Sequence, residues 1–372
     1  MRISLIGPFP PFRGGISDFN YSLSKELDKS HDLQIINFST LYPKVLFPGN
    51  TQFKDKVDKS AKSHRVLSSI NPLSWIKTVE KIIEFNPEIV IIHYWMPFFA
   101  PALRKIAVLL KKKINVKIMA ICHNLMPHEN HSIYKYFTKR LINKIDRFIV
   151  MSDAVKKDLL EFIPNVKYKS TPHPIYEIFG NVVDKKIARQ KLDIKAKKVI
   201  LFFGLIREYK GLDILLNSIP KIKMGLDDFI VIVAGECYER KEKYYDIIKK
   251  LKIQDSVDLR FKFIPDCEVA EYFSAADVVV LPYKTATQSG ITQIAYNFNR
   301  PVIISNVGGL AEIVVEGKTG YVVTPQSDEF AKAIITFFKE SKFGEFSDNV
   351  KTHKTLFSWE KFANNIIELA QE

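Results

Sequence analysis

Along the chain, short apolar runs alternate with stretches of helical period. Arg2–Ile6 reads as a buried strand, Pro8–Gly15 as a loop, and Phe19, Leu23 and Leu27 then recur at helical spacing. Leu33–Phe38, Glu88–His93, Lys117–His123 and Arg147–Ser152 are further predicted strands, the last three each after a predicted helix. Such alternation predicts a parallel sheet with helices on both faces. Pro172-His173-Pro174 breaks the rhythm, and the polar segment up to Lys197 reads as a connection between domains. A second series then begins: strands at Lys198–Phe203, Phe229–Ala234, Val257–Phe263, Asp277–Leu281, Pro301–Ser305 and Thr319–Val323. Its helices lie around Leu212–Ile219, Val269–Ala275 and Ile291–Phe298. The predicted architecture is therefore two α/β units of Rossmann type, and 372 residues suit two cores better than one. A last helix, near Trp359–Leu369, comes after the second unit and is expected to fold back onto the first.

Composition narrows the class. A hydrophobic fraction of 47% with 26% charged residues is that of a globular chain rather than a disordered one. Cys122, Cys237 and Cys267 are too few and too scattered for a disulfide framework or a zinc site, which fits a reducing cytoplasm. The apolar N-terminal run breaks at Gly7-Pro8, too early for a signal peptide. The most apolar stretch, Ile89–Leu110, is interrupted by His93, Arg104 and Lys105, so no membrane span is expected. The net charge of +14 is unevenly placed: residues 1–180 hold 27 Lys/Arg against 15 Asp/Glu. That imbalance predicts an anionic partner for the first half, or else a solvated lysine-rich face. The segment 97–117 mixes apolar and basic residues and is the candidate for peripheral contact with an anionic membrane at its inner face. No nucleic-acid-binding motif is present, and nucleic acid is not an expected partner.

Ligands of open parallel sheets bind beyond the carboxyl ends of the strands, so the candidate residues are those just past each strand end. Gly14-Gly15 sits between the first strand and first helix, where paired glycines admit close backbone approach and a helix start offers N–H groups to an anion. The loop matches neither GxGxxG nor a P-loop. His123 closes a strand, with His128 and Glu129 shortly after as secondary candidates. Gly204 ends another strand, and Arg207 and Lys210 come next, just before a helix. A basic pair beside a helix start, where acidic residues are normally favoured, calls for an anionic ligand such as a diphosphate. Ser289-Gly290 opens a helix with a good N-cap, and Gly309 and Glu312 lie after the next strand.

With these segments in view, the chain resembles glycosyltransferase family 4, of the GT-B fold, over nearly its whole length. The motifs carrying the resemblance are GLIREYKG, ADVVVLPY followed by SGITQIAYNFNRPVI, and VGGLAEIVVEGKTGYVV, with GGISDF and VMSDAVKKDL in the first half. The resemblance implies two Rossmann-like domains facing across a cleft. The acceptor domain would span 1–175, with the helix 357–372 packing back on it, and the nucleotide-sugar domain would span 185–350. It implies a sugar transferred from a nucleotide-diphosphate donor of the UDP or GDP type to a glycan or lipid-linked acceptor, with retention and without metal or other cofactor. Arg207 and Lys210 would neutralise the leaving diphosphate, with His123 near the transferred sugar. Gly14, Gly15, Gly204, Gln288, Ser289, Gly290, Gln293, Gly309 and Glu312 would line the donor site. The family commonly shows two glutamates eight residues apart around this helix; here they fall at Ala286 and Ile294, with Gln288 and Gln293 nearby. The alternative reading this opens is a nucleotide-sugar-binding or epimerase-type GT-B protein without transferase activity.

Overall fold

Seven strands build the first sheet: β1 (Arg2–Ile6), β2 (Asp32–Thr40), β3 (His64–Ser68), β4 (Ile89–Tyr94), β5 (Lys117–Cys122), β6 (Arg147–Val150) and β7 (Lys167–Ser170). They lie in the order β3-β2-β1-β4-β5-β6-β7, all parallel. The second sheet holds β8 (Lys198–Phe203), β9 (Phe229–Ala234), β10 (Val257–Arg260), β11 (Val278–Leu281), β12 (Val302–Ser305) and β13 (Gly320–Val323), in the order β10-β9-β8-β11-β12-β13. Counted from its own first strand, the second sheet runs 3-2-1-4-5-6, the dinucleotide-binding order, and the first runs the same with a seventh strand added, the strand order reversing between β1 and β4 and between β8 and β11. The computed structural model describes residues 1–43, 51–54, 62–125 and 132–372.

The chain divides into one unit of Met1–His173 with Trp359–Glu372 and another of Pro174–Ser358. The first carries α1 (Gly15–Leu27), α2 (Pro72–Phe85), α3 (Ala100–Lys113), α4 (Ser132–Ile142) and α5 (Asp153–Phe162). The second carries α6 (Lys185–Lys191), α7 (Leu212–Gly225), α8 (Glu242–Leu251), α9 (Asp266–Ala275), α10 (Gly290–Asn297), α11 (Ser327–Lys339) and α12 (Phe343–His353). The last helix, α13 (Trp359–Gln371), returns to the first unit and packs on α1. Its Trp359, Phe362, Ile366 and Leu369 recur at helical spacing and are all buried, and Arg147 Nη1 donates to the Ala370 carbonyl at 3.0 Å.

Covering a parallel sheet on both faces buries its central strands whole, and all six residues of β4 are buried. Local chemistry sets several helix starts: Asn71 Oδ1 accepts from Leu73 N before α2, Asp184 caps α6, and Ser152 Oγ accepts from Val155 N. That last bond shortens a predicted strand. The run to Ser152 ends at Val150 because Ser152 is already the cap of α5. The strand predicted to Phe263 likewise stops at Arg260. Two strands that apolar runs did not predict, β3 and β7, are the edges of the first sheet and have the polar sequences HRVLS and KYKS.

The segment 97–117 supplies a short 3-10 turn, α3 and the first residue of β5. Phe99, Ala100, Ala102, Leu103, Ile106, Ala107 and Leu110 are all in the core, so the apolar side of α3 faces its own sheet and leaves no greasy stripe for a lipid surface. Its basic end, Lys111, Lys112 and Lys113, reaches solvent and, beside Lys117 and Asp146, lines an open depression of about 600 Å³. Lysines in the last turn complement the helix dipole.

Candidate active site

In the second unit the site assembles where the strand order reverses. After β8, Gly204 takes φ +106, and a Cβ there would lie 3.3 Å from Lys210 Nζ and 3.0 Å from Ile291 Cδ1 in the first turn of α10. The Lys210 ammonium is therefore beside both the end of β8 and the start of α10. A 3-10 turn, Glu208–Lys210, delivers it, with Lys210 N donating to the Arg207 carbonyl at 2.9 Å. Gly211 ends that turn at φ +68, and a Cβ there would stand 1.9 Å from the Pro282 carbonyl oxygen, just after β11. Only glycine lets α7 begin so close to that strand end.

Lys210 is 8% exposed, and no Asp or Glu among the described residues pairs with it. Its Nζ lies 5.3 Å from the Tyr283 ring centroid, and Tyr283 Oη is 3.3 Å from Ser289 Oγ. Burial, and after it the Arg207 charge, hold the ammonium below the usual lysine range, with Tyr209 acting in the opposite sense. Arg207 is exposed and sits 5.1 Å from the Tyr238 ring centroid. Ser289 Oγ accepts from Ile291 N at 3.2 Å as the cap of α10, and a Cβ on Gly290 would meet Tyr176 at 3.0 Å.

Around this centre the remaining candidates take varied positions. Gly308, at φ +50, packs so closely on Ala286 that a Cβ would fall 1.7 Å from its carbonyl oxygen. The turn holding buried Gly309 thus rests on the loop that leads to half-buried Gln288. Glu312, in the same 3-10 turn, is exposed. Gln293 is buried, and its Oε1 has no hydrogen-bond partner among the described residues. Ala286 and Ile294, where the family's glutamates would fall, are buried apolar side chains.

In the first unit, Gly14 caps α1 at φ +118 with no side-chain hydrogen bond, and Gly14 and Gly15 are both exposed. One turn on, Phe19 is wholly buried and meets five rings edge-on: His93, His123, His173, Trp359 and Phe362, at centroid distances of 4.8 to 5.8 Å. His123 lies directly after β5, its N–H bonded to the Tyr94 carbonyl, and is 6% exposed. Its Nε2 lies 3.0 Å from His93 Nδ1. Burial pushes His93 down to about 3; burial and then the neighbouring His93 and His173 hold His123 well below the usual histidine range. Both rings are neutral at physiological pH. His128 and Glu129 lie outside the described residues.

The structure thus gathers Gly204, Lys210, Ser289 and Gly290 in one unit, and ties the helix that begins at Gly14-Gly15 to His123 in the other. It adds Tyr283, Phe19, His93 and His173, which sequence reasoning missed. The available signal for His93 was a histidine near the end of an otherwise apolar strand. Among the described residues no group of three or more His, Cys, Asp or Glu is arranged to hold a metal ion, and no helix is long and apolar enough to cross a membrane.

Two parallel α/β sheets of this strand order, one in each unit, are the architecture of a GT-B protein. The solved structures agree: the chain superposes on sucrose-phosphate synthase from Thermosynechococcus elongatus with a TM-score of 0.79 at 18% identity, covering 100% of this chain and 98% of that one. The Anabaena HepE protein in complex with UDP-glucose gives a TM-score of 0.79 at 16% identity, covering 99% and 98%. The family model described as Glycosyltransferase Family 4 matches residues 13–175, and that described as Glycosyl transferases group 1 matches 184–353. The chain belongs to glycosyltransferase family 4 and is a glycosyltransferase. Among curated relatives it is 26% identical over 302 residues to the D-inositol 3-phosphate glycosyltransferase of Corynebacterium urealyticum, covering 74% of this chain and 69% of that protein. Two other relatives are matched over about two thirds of their own length.

Proposed function

We propose that this glycosyltransferase moves a sugar from a nucleoside-diphosphate donor, of the UDP or GDP type, to a glycan or lipid-linked acceptor, with retention and without a metal ion. One observation carries the reading: Lys210 is a buried ammonium with no ion pair to a carboxylate among the described residues, at the strand-reversal point and against the first turn of a capped helix. A buried charge is normally paired, and a diphosphate supplies the missing countercharge. As the glycosidic bond breaks, negative charge builds on the leaving phosphate. Lys210, the exposed Arg207 and the amides at Ser289-Gly290 then stabilise it more in the transition state than in the ground state.

In this reading Gly204, Gln288, Gln293, Gly309 and Glu312 contact the donor, Gly14 and Gly15 offer backbone amides to phosphate or acceptor, and His123 serves the transferred sugar. Gln293, buried and with an Oε1 that has no partner among the described residues, takes the ribose contact that a glutamate would otherwise make. The HepE complex with UDP-glucose supports the donor class. The excess of basic residues in 1–180 supports an anionic acceptor or a peripheral, electrostatic contact with an anionic membrane.

The test is calorimetric titration with UDP and GDP. Micromolar binding of one of them, lost in Lys210→Ala, is the expected result. Equal affinity in wild type and variant would remove the proposed role of this lysine. Transfer assays with the donor so selected, with and without a chelator, then read activity and metal dependence, and product anomer analysis reads retention.

A further inference from the structure

Two histidine nitrogens meet inside the first unit, His93 Nδ1 and His123 Nε2, 3.0 Å apart. At that distance one nitrogen carries a proton and the other accepts it. If His123 donated from Nε2, the proton of neutral His93 would have to sit on its own Nε2. His93 is wholly buried, and its Nε2 has no partner among the described residues. A buried N–H with no acceptor is the costly orphan, whereas a bare ring nitrogen in the same place forfeits less. The opposite arrangement puts no proton on that partnerless His93 nitrogen. His93 donates from Nδ1, and His123 accepts on Nε2 and keeps its own proton on Nδ1.

The rings have little freedom to rearrange. Ile6 registers with Ile92, so Gly7 stands next to His93, and a Cβ on Gly7 would lie 3.1 Å from both Cβ and Cδ2 of His93. Asn20 holds the same loop by donating from Nδ2 to the Pro8 carbonyl at 3.0 Å. Phe19 presses edge-on against both imidazoles. We propose that His93 is a positioning residue that fixes His123 as an imidazole protonated on Nδ1. Because the His93 N–H occupies its one basic nitrogen, His123 does not act as a general base in transfer. It serves as an oriented polar group. The proposal rests on the reading that His123 belongs to the transfer site.

The experiment is nitrogen NMR of the histidine-labelled full chain. The expected spectrum has His123 Nε2 unprotonated and Nδ1 protonated. A wild-type spectrum with the proton on His123 Nε2 overturns the proposal and needs no variant to do so. His93→Phe keeps an aromatic ring and removes the donor; mixed His123 tautomers and a kcat lower by about 10- to 100-fold are expected, the loss seen when the outer partner of an oriented histidine is removed. KM for the sugar nucleotide selected by the titration is expected to stay within about threefold, since ground-state binding is untouched. His93→Asn, whose amide places an N–H near Nδ1, is expected to restore the tautomer and most of the rate. His93→Phe with the wild-type tautomer and wild-type kcat overturns the positioning role. Separately, His123→Phe with undiminished transfer sinks the reading of His123 as a site residue, with the wild-type tautomer assignment still standing.

Discussion

Three ionisable residues of the candidate site, Lys210, His93 and His123, are buried. Lys210 is held below its usual range by burial, and a bound diphosphate would draw its proton back. Donor affinity is therefore expected to fall as pH rises through the lowered lysine range, with proton uptake on binding within that range, measurable by calorimetry in buffers of different ionisation enthalpy. Lys210→Met should flatten that dependence, and Lys210→Ala should lower the rate of sugar transfer about 100- to 1000-fold, as loss of one preorganised donor does. His93 and His123 act in the opposite quarter of the pH scale. Their folded values lie below the ordinary 6.5, so between the two values the unfolded chain holds more protons than the native one, and stability falls as pH drops. Each histidine should contribute about 1.4 kcal/mol of loss per pH unit below pH 6. Thermal unfolding between pH 6.5 and 4 checks this, and His93→Phe should make the slope shallower.

Elements were legible where they are buried on both faces. β4, β5, β8 and β9 are near-continuous apolar runs because helices cover both sides, and such runs can be read without any partner in view. β3 and β7 could not be read this way, because an edge strand has one neighbour and keeps polar side chains on its open flank. The same contrast holds at the site. Gly204, Lys210 and Ser289 stand out in the sequence because glycines and caps come after strands in a recognisable order. Tyr283 and His93 stand in or beside apolar strand sequence, and only packing reveals what they touch. Gly211 carries a definite expectation. Gly211→Ala must clear a backbone oxygen 1.9 Å from the new Cβ at φ +68, and should destabilise the chain by at least about 2 kcal/mol in denaturant titration. In α1, Phe19→Ala should cost about 3–5 kcal/mol, because one ring fills the space among five others.

For the whole molecule, two sheets of the same strand order carry unlike charge, with most of the excess of basic residues in the first half. Vesicle flotation is expected to show binding to anionic lipid that disappears between low and about 0.5 M salt, since a surface without an exposed apolar stripe on α3 has only screened attraction to offer. Because the stretch at 97–117 is core and not an insertion helix, replacing Lys111, Lys112 and Lys113 together should weaken flotation without lowering the thermal midpoint by more than a few degrees.

The chain leaves its first unit at His173 and comes back at Trp359. A gene cut between codons 173 and 174 consequently does not yield an independent head: the fragment would lack Trp359 and Phe362, two of the rings that wall in Phe19, and the Ala370 carbonyl that satisfies Arg147. Expressed alone, residues 1–173 should be a sticky, poorly cooperative species, and a synthetic peptide of residues 359–372 should restore its folding in trans. A nonsense mutation at codon 359 would then act as a lesion around His123, more than two hundred residues upstream along the chain and one aromatic ring away in space.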